Sequence, residues 1–239
     1  MVVDSVEPRS SVLFRSDAQR TKVLAANVGQ VAVVFAAQPR FRVDFLWRAL
    51  IAAAAARIEA LAVLNKIDLD SAAADRALEQ LRALGARCLR ISAQRDPQLA
   101  ARILAPEFQG RETLLVGQSG MGKSTILNLL VGTAARTQAV SGRIEAGRHT
   151  TSATHWHALG TGGAVIDTPG FHEFGLSHIP CVQLPALMAD LAPHATACRF
   201  GDCRHLHEPD CGVRTALSAG GIDTSRYMFY QSLCTPVAA

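Results

Sequence analysis

The stretch Gly117-Gln118-Ser119-Gly120-Met121-Gly122-Lys123-Ser124 decides the fold. It fits G-x-x-x-x-G-K-[ST], and Thr125 follows it. An apolar run, Thr113–Val116, precedes it and an apolar helical run, Ser124–Val131, comes after. In such a strand–turn–helix unit the glycines let the backbone curl. Several N–H groups then converge on phosphate oxygens at the helix N-terminus. Lys123 places a charge on the β- and γ-phosphates, and the Ser124 hydroxyl is a Mg²⁺ ligand. Gln118, Ser119, Gly120, Met121 and Thr125 complete the candidate phosphate-binding set.

Outward from this unit, strand-like and helix-like stretches alternate. Val28–Ala36 is apolar and β-branched and reads as a buried strand. Phe41–Arg57 reads as a helix, Ala60–Leu64 as a strand, and Ser71 can cap a helix running to about Leu84. Arg87–Ile91 is a further strand, followed by a short helix near 96–104. Residues 1–20 read as polar and irregular, and 132–152 as a Gly/Arg/Thr-rich loop. Thr154–Leu159 and Ala164–Ile166 are strands around a Gly160–Gly163 turn. The alternation predicts an α/β domain with a mostly parallel sheet and helices on both faces. After about residue 175 prolines and a Cys/His cluster take over, followed by a short helical tail.

Two further motifs end strands. Asp167-Thr168-Pro169-Gly170 follows Val165 and Ile166, 43 residues after Ser124. A carboxylate there can hold Mg²⁺, and the Gly170 N–H can meet the γ-phosphate. Asn65-Lys66-Ile67-Asp68 closes an earlier strand. The Asp68 carboxylate can accept two hydrogen bonds from guanine, whereas adenine presents an acceptor at that edge and is rejected. The Lys66 stem can cover the base and Asn65 can tie its loop to the phosphate loop. Ser92-Ala93, after the next strand, would bring the Ala93 N–H to the guanine oxygen.

The usual GTPase order runs from phosphate loop through Asp-x-x-Gly to Asn-Lys-x-Asp and Ser-Ala. Here the last two come first, which is the order of a circularly permuted GTPase. A pocket depends on positions in space, so the permuted strands can still assemble one. Between the phosphate-loop helix and the next strand lies Gly147-Arg148-His149-Thr150-Thr151, where Thr150 or Thr151 can complete the Mg²⁺ shell. The position after Gly170, where many GTPases have a water-orienting Gln, is Phe171. His149 is the candidate replacement, with His172 a rival. An ATPase with an accidental Asn-Lys-x-Asp, a permuted GTPase of a different kind and a nucleotide-dependent clamp with negligible turnover are the competing readings.

Cys198-x4-Cys203-x-His205-x5-Cys211 offers three thiolates and one imidazole, which suits a closed, structural tetrahedral Zn²⁺ site. His207 and His194 compete for the fourth place. Cys88, Cys181 and Cys234 read as isolated and not as ligands.

Composition bounds the rest. The 239 residues are 49% hydrophobic and 18% charged, which excludes a disordered chain. Net charge is +4, which permits a nucleic-acid partner without implying one. Lys22, Lys66 and Lys123 are the only lysines, and two of them lie in the motifs above. The longest apolar stretch, Ala49–Leu64, is interrupted by Arg57 and Glu59, short of the ~20 residues a membrane span needs. No secretory signal opens the sequence.

Together these motifs resemble the RsgA (YjeQ) family of small-subunit-dependent, circularly permuted GTPases. The residues that carry the likeness are RSD at 15–17, AANVGQVAVV at 25–34, NKIDL at 65–69, SA at 92–93, GQSGMGKST at 117–125, GRHTTS at 147–152, DTPGF at 167–171 and CRFGDCRHLHEPDC at 198–211. The resemblance implies a cytoplasmic, monomeric GTPase that acts late in small (30S) subunit maturation, binds rRNA and is stimulated by the subunit. It implies Mg²⁺ with GTP and one structural Zn²⁺ on Cys198, Cys203, His205 and Cys211. It puts the catalytic histidine at His149 and the hydrophobic replacement of Gln at Phe171. It also divides the chain: 1–20 as a remnant of an N-terminal OB-fold barrel or linker, 21–177 as the GTPase domain, 178–239 as a helical zinc-binding module.

Overall fold

The structure, a computed structural model, describes residues 5, 8–16, 21–135, 154–168 and 174–235. The expectations for His149, Thr150 and Thr151, and for Gly170, Phe171 and His172, fall outside them. Two compact units are present: Met1–Phe14 with Val23–Glu173, and Arg15–Lys22 with Phe174–Ala239.

Strands β1 (Val12–Ser16) and β2 (Thr21–Ala26) pair as a two-stranded sheet. This corrects the reading of residues 1–20 as irregular. Polar side chains, which apolar periodicity does not register, stitch its open end. Ser10 N–H donates to Asn27 Oδ1 (2.8 Å) and the Ser11 hydroxyl to the Val28 carbonyl (2.7 Å). Asn27 takes a left-handed conformation (φ 56°), which asparagine tolerates better than most residues.

From Gln30 onward the first unit is built on β3 (Gln30–Ala36), α1 (Val43–Ala56), β4 (Glu59–Asn65), α2 (Ala72–Ala83), β5 (Arg87–Arg90), α3 (Pro97–Phe108), β6 (Arg111–Val116), α4 (Lys123–Ala135), β7 (His155–Ala158) and β8 (Gly163–Asp167). Its sheet has the order β5-β4-β3-β6-β8-β7, parallel except for the β7–β8 pair. Every residue of β3 is buried, as expected of a central parallel strand covered on both faces. Ser71 caps α2 by accepting the Ala74 N–H, and Asp96 caps α3 by accepting that of Leu99. Helix α4 runs on to Ala135, beyond the expected end at Val131. Its interior Gly132 costs about 1 kcal/mol relative to alanine, which the apolar turns before it outweigh.

Connection direction explains where a ligand can sit. β3→β4→β5 steps toward one sheet edge through α1 and α2, and β5→β6→β8 steps back through α3 and α4. Right-handed crossovers therefore put the two helix pairs on opposite faces. The reversal lies between β3 and β6, and ligands of open α/β sheets bind at the carboxyl ends of strands beside such a point.

The second unit contains α5 (Ala192–Ala195), α6 (Gly212–Ser218) and α7 (Thr224–Cys234), with two short 3-10 turns before them. Asp223 caps α7 by accepting the N–H groups of Ser225 and Arg226. Buried Arg226 makes a two-pronged ion pair with Asp190 (2.7 and 2.9 Å). Among the described residues no helix is long and apolar enough to cross a membrane.

Candidate nucleotide and metal sites

Strand register brings the motifs to one edge of the sheet. Ala36 pairs with Asn65, Val33 with Val116, and Leu115 with Asp167. The chain therefore leaves β4 into Asn65–Asp68, β6 into Gly117–Ser124 and β8 through Asp167, all at the carboxyl ends beside the reversal.

Asn65 joins these loops. Its Nδ2 donates to the Met121 carbonyl and its Oδ1 accepts the Ala93 N–H, both at 3.0 Å. One buried amide thus clamps the phosphate loop, the Asn-Lys-x-Asp loop and the Ser-Ala loop. The Ala93 N–H is the donor in the second of these bonds. Lys66, at φ 59°, sends its ammonium to the Gly120 carbonyl (2.8 Å) and the Gln38 carbonyl (2.9 Å). Its stem therefore runs alongside the phosphate loop. The Ser92 hydroxyl donates to Asp68 Oδ1, and that bond chiefly holds the carboxyl below its usual range. Ile67 is exposed beside it, and its N–H reaches the Ile91 carbonyl (3.3 Å).

The phosphate loop needs its glycines for space as well as for dihedrals. A Cβ on Gly122 (φ 96°) would lie 2.2 Å from Asn65 Nδ2, and one on Gly117 2.3 Å from the Val34 carbonyl oxygen. Buried Lys123 folds back so that Nζ donates to the carbonyls of Gly117 (2.8 Å) and Gln118 (3.2 Å). Burial pulls its ammonium below the usual lysine range, and the Asp167 carboxylate opposes that shift. Asp167 is buried and the Thr168 hydroxyl anchors the next residue to Leu115 (3.1 Å). Ser119, Gly120 and Ser124 are exposed, Thr125 is half-buried and Met121 is buried.

A link that the sequence reading missed is the Gln118 side chain, whose Oε1 accepts the Arg42 N–H at the start of α1 (2.9 Å). Pro39 packs on Gly120 from the same segment. The Q-P-R-F stretch after β3 was the available signal, a loop placed at the sheet reversal.

In the second unit Cys198, Cys203, His205 and Cys211 converge, with ligand atoms all within 4.8 Å of one another. Among the described residues neither His194 nor His207 joins them. His205 Nδ1 lies 3.3 Å from Cys198 Sγ and 3.4 Å from Cys211 Sγ, and the two sulfurs are 3.8 Å apart. Burial, reinforced by the neighbouring sulfurs, pushes the Cys203 thiol up to about 12. It also pulls His205 down, which favours the neutral imidazole a metal requires. Three thiols held this close would repel as thiolates, and a cation at their centre reverses that balance. The donor set therefore fits a metal ion.

Residues the sequence reading did not single out shape this knuckle. The Tyr227 and Tyr230 hydroxyls donate to the His205 and Arg204 carbonyls, both at 2.6 Å. The Glu208 carboxylate accepts the N–H groups of Arg204 (3.0 Å), Leu206 (2.9 Å) and His207 (3.0 Å). Desolvation raises its pKa, but these N–H groups together bring it to about 2. Replacing Glu208 with Gln is expected to destabilise this unit at neutral pH. A depressed carboxylate stabilises the fold above its unfolded pKa, near 4.5, and loses that contribution as pH falls through about 2. The stability gap between the two chains should therefore stay level down to about pH 5 and close below it. Thermal unfolding of both chains across pH checks this, and a gap that closes nearer neutrality contradicts it.

One earlier expectation is corrected here. Cys181 and Cys234 are not isolated; they form a disulfide, closing a sequence separation of 53. Folding of α7 back over the knuckle brings the two together, which spacing alone could not show.

Comparison with known proteins agrees with this geometry. The family model for the RsgA GTPase matches residues 6–177. The small ribosomal subunit biogenesis GTPase RsgA of Bordetella pertussis is 47% identical over 241 residues, covering 99% of this chain and 80% of that protein. Its counterpart in Burkholderia mallei is 44% identical over 235 residues, covering 97% and 75%. The crystal structure of YjeQ from Thermotoga maritima superposes with a TM-score of 0.71 at 26% identity, covering 97% of this chain and 76% of that one. That of YloQ, a circularly permuted GTPase, gives 0.68 at 23% identity, covering 97% and 81%. With permuted loops meeting at one clamped pocket and likeness along nearly its whole length, the chain belongs to the RsgA GTPase family and is a hydrolase acting on GTP.

Proposed function

We propose that the chain hydrolyses GTP during late maturation of the small ribosomal subunit, in the cytoplasm, as a monomer that binds rRNA and is stimulated by the subunit. The identity to RsgA proteins across 99% of the chain supports the process. The Asn65 clamp supports the nucleotide, because it ties the base-reading loops to the phosphate loop at fixed distance.

In this reading Asp68 reads the guanine edge, with Lys66, Ile67, Ser92 and Ala93 completing the base pocket. Gly117 to Thr125 cradle the phosphates. Ser124, Asp167 and one of Thr150 or Thr151 hold Mg²⁺, whose charge offsets that developing on the β- and γ-oxygens. Gly170 meets the γ-phosphate and His149 orients the attacking water in place of the missing Gln. Water attacks the γ-phosphorus, the bond to the β-bridging oxygen breaks, and GDP and phosphate leave.

Cys198, Cys203, His205 and Cys211 hold one structural Zn²⁺. Tetrahedral Zn–S bonds of about 2.3 Å separate two sulfurs by about 3.8 Å. Cys198 and Cys211 already stand 3.8 Å apart.

GTP turnover measured with and without purified small ribosomal subunits tests the reading. Strong stimulation is expected. Turnover that ignores the subunit while GDP still binds overturns the ribosomal part and leaves the GTPase.

A further inference from the structure

The second unit carries two thiol systems, and GTP hydrolysis uses neither. All four residues of the Cys/His cluster lie between Cys181 and Cys234 in sequence. The disulfide therefore closes a covalent loop around the entire metal-binding segment. Its two ends also meet the element that shapes the cluster. Cys234 is the last residue of α7, and Cys181 opens the first 3-10 turn. Tyr230 sits one helical turn before Cys234, and its hydroxyl lies 3.6 Å from Cys181 Sγ. That same hydroxyl holds the Arg204 carbonyl, between ligands Cys203 and His205. Tyr227 holds the His205 carbonyl from one turn further back.

We propose that Cys181–Cys234 is a thiol–disulfide exchange site whose oxidation state sets how firmly the Cys198–Cys203–His205–Cys211 cluster keeps its metal. The proposal rests on the reading of that cluster as a zinc site. Cys181 is half-buried and Cys234 is buried, so Cys181 is the more accessible residue of the pair and the expected point of attack. The thiolate of a small thiol attacks Cys181 Sγ, the S–S bond breaks, and Cys234 leaves as a thiolate that takes up a proton. A second small thiol attacks the small-molecule sulfur of the mixed disulfide and releases Cys181. Two electrons pass from two small thiols to the protein, and one small-molecule disulfide forms. A small-molecule disulfide runs the sequence backward and closes the loop.

The coupling is mechanical. While Cys234 is tethered, the end of α7 cannot lift, and Tyr227 and Tyr230 stay on the carbonyls beside His205. Closing a long loop also strips conformations from opened states of the segment. After reduction, α7 still has its Arg226–Asp190 pair, so the unit stays folded but opens more often. Opening exposes the ligand sulfurs to a competing chelator.

The test uses the full chain, purified with its metal and split into two samples. One is treated with oxidised glutathione and the other with reduced glutathione. Mass spectrometry after alkylation reads which cysteines react, with half-buried Cys88 in the other unit as the internal reference. Transfer of zinc to an excess chromogenic chelator reads retention. The expected result is that Cys181 and Cys234 are alkylated only after reduction, and that zinc then leaves about tenfold faster or more. Cys181→Ser should release zinc at the fast rate under both treatments. Equal rates from the oxidised and reduced wild-type chains, with zinc bound in both, overturn the latch and leave the zinc site standing. So does persistent alkylation of Cys181 and Cys234 after oxidation. A chain that binds no zinc in either state overturns both readings together.

Discussion

Lys123→Ala is expected to lower GTP turnover about a hundred- to a thousandfold, the scale of losing one preorganised charge from a transition state. The residue is the first of α4, where the helix dipole and the curled loop already favour an anion. Its ammonium is buried and held by the Gly117 and Gln118 carbonyls. Burial has therefore already stripped much of its water before phosphate oxygens arrive. Alanine leaves two carbonyl oxygens lining the site without a counter-charge, which repels the substrate as well as removing the donor. The Cys/His cluster includes none of these residues, so metal bound there should not change. Turnover and bound metal measured on the same preparation decide the matter. If metal disappears along with turnover, the variant has unfolded and the site assignment gains nothing.

The GTPase fold was legible because its elements announce themselves locally. Val28–Ala36 is apolar enough to be a central strand and nothing else. Gly117–Ser124 sits between a strand and a helix that share no other plausible connection. Permutation did not hide the pocket, since register across parallel strands brings Asn65, Gly117 and Asp167 to one edge whatever their order in the chain. What escaped was set by tertiary contact. The β1–β2 pair is tied at one end by Ser10, Ser11 and Asn27, residues that read as loop when taken singly. Cys181 finds Cys234 only after α7 has folded over the knuckle. Nothing in the sequence around Glu208 signals that three backbone N–H groups converge on its carboxylate. The Ala93 N–H illustrates the same limit at the candidate site. Sequence offers no sign that this N–H donates to the Asn65 side chain, 28 residues away.

Asp68→Asn should cost GDP affinity about a hundredfold or more and swing preference toward xanthosine nucleotides. Guanine offers two donors, a ring N–H and an exocyclic amine, to the two oxygens of a carboxylate. One oxygen of Asp68 already accepts the Ser92 hydroxyl, and the same bond keeps the carboxyl ionised by lowering its pKa. Asparagine can retain that bond through its own Oδ1, so the Ser92 loop keeps its anchor and a loss of affinity is not loop collapse. Its Nδ2 then presents donors where guanine also presents a donor, and neither is satisfied. Xanthine carries a carbonyl oxygen in place of the amine, which accepts from that same Nδ2. The substitution therefore inverts a single donor–acceptor pair and leaves the phosphate loop, Lys123 and the Asn65 clamp untouched. Competition of GDP and XDP for the wild-type and variant chains reads the inversion directly. Unchanged GDP affinity in the variant would remove Asp68 from the base pocket.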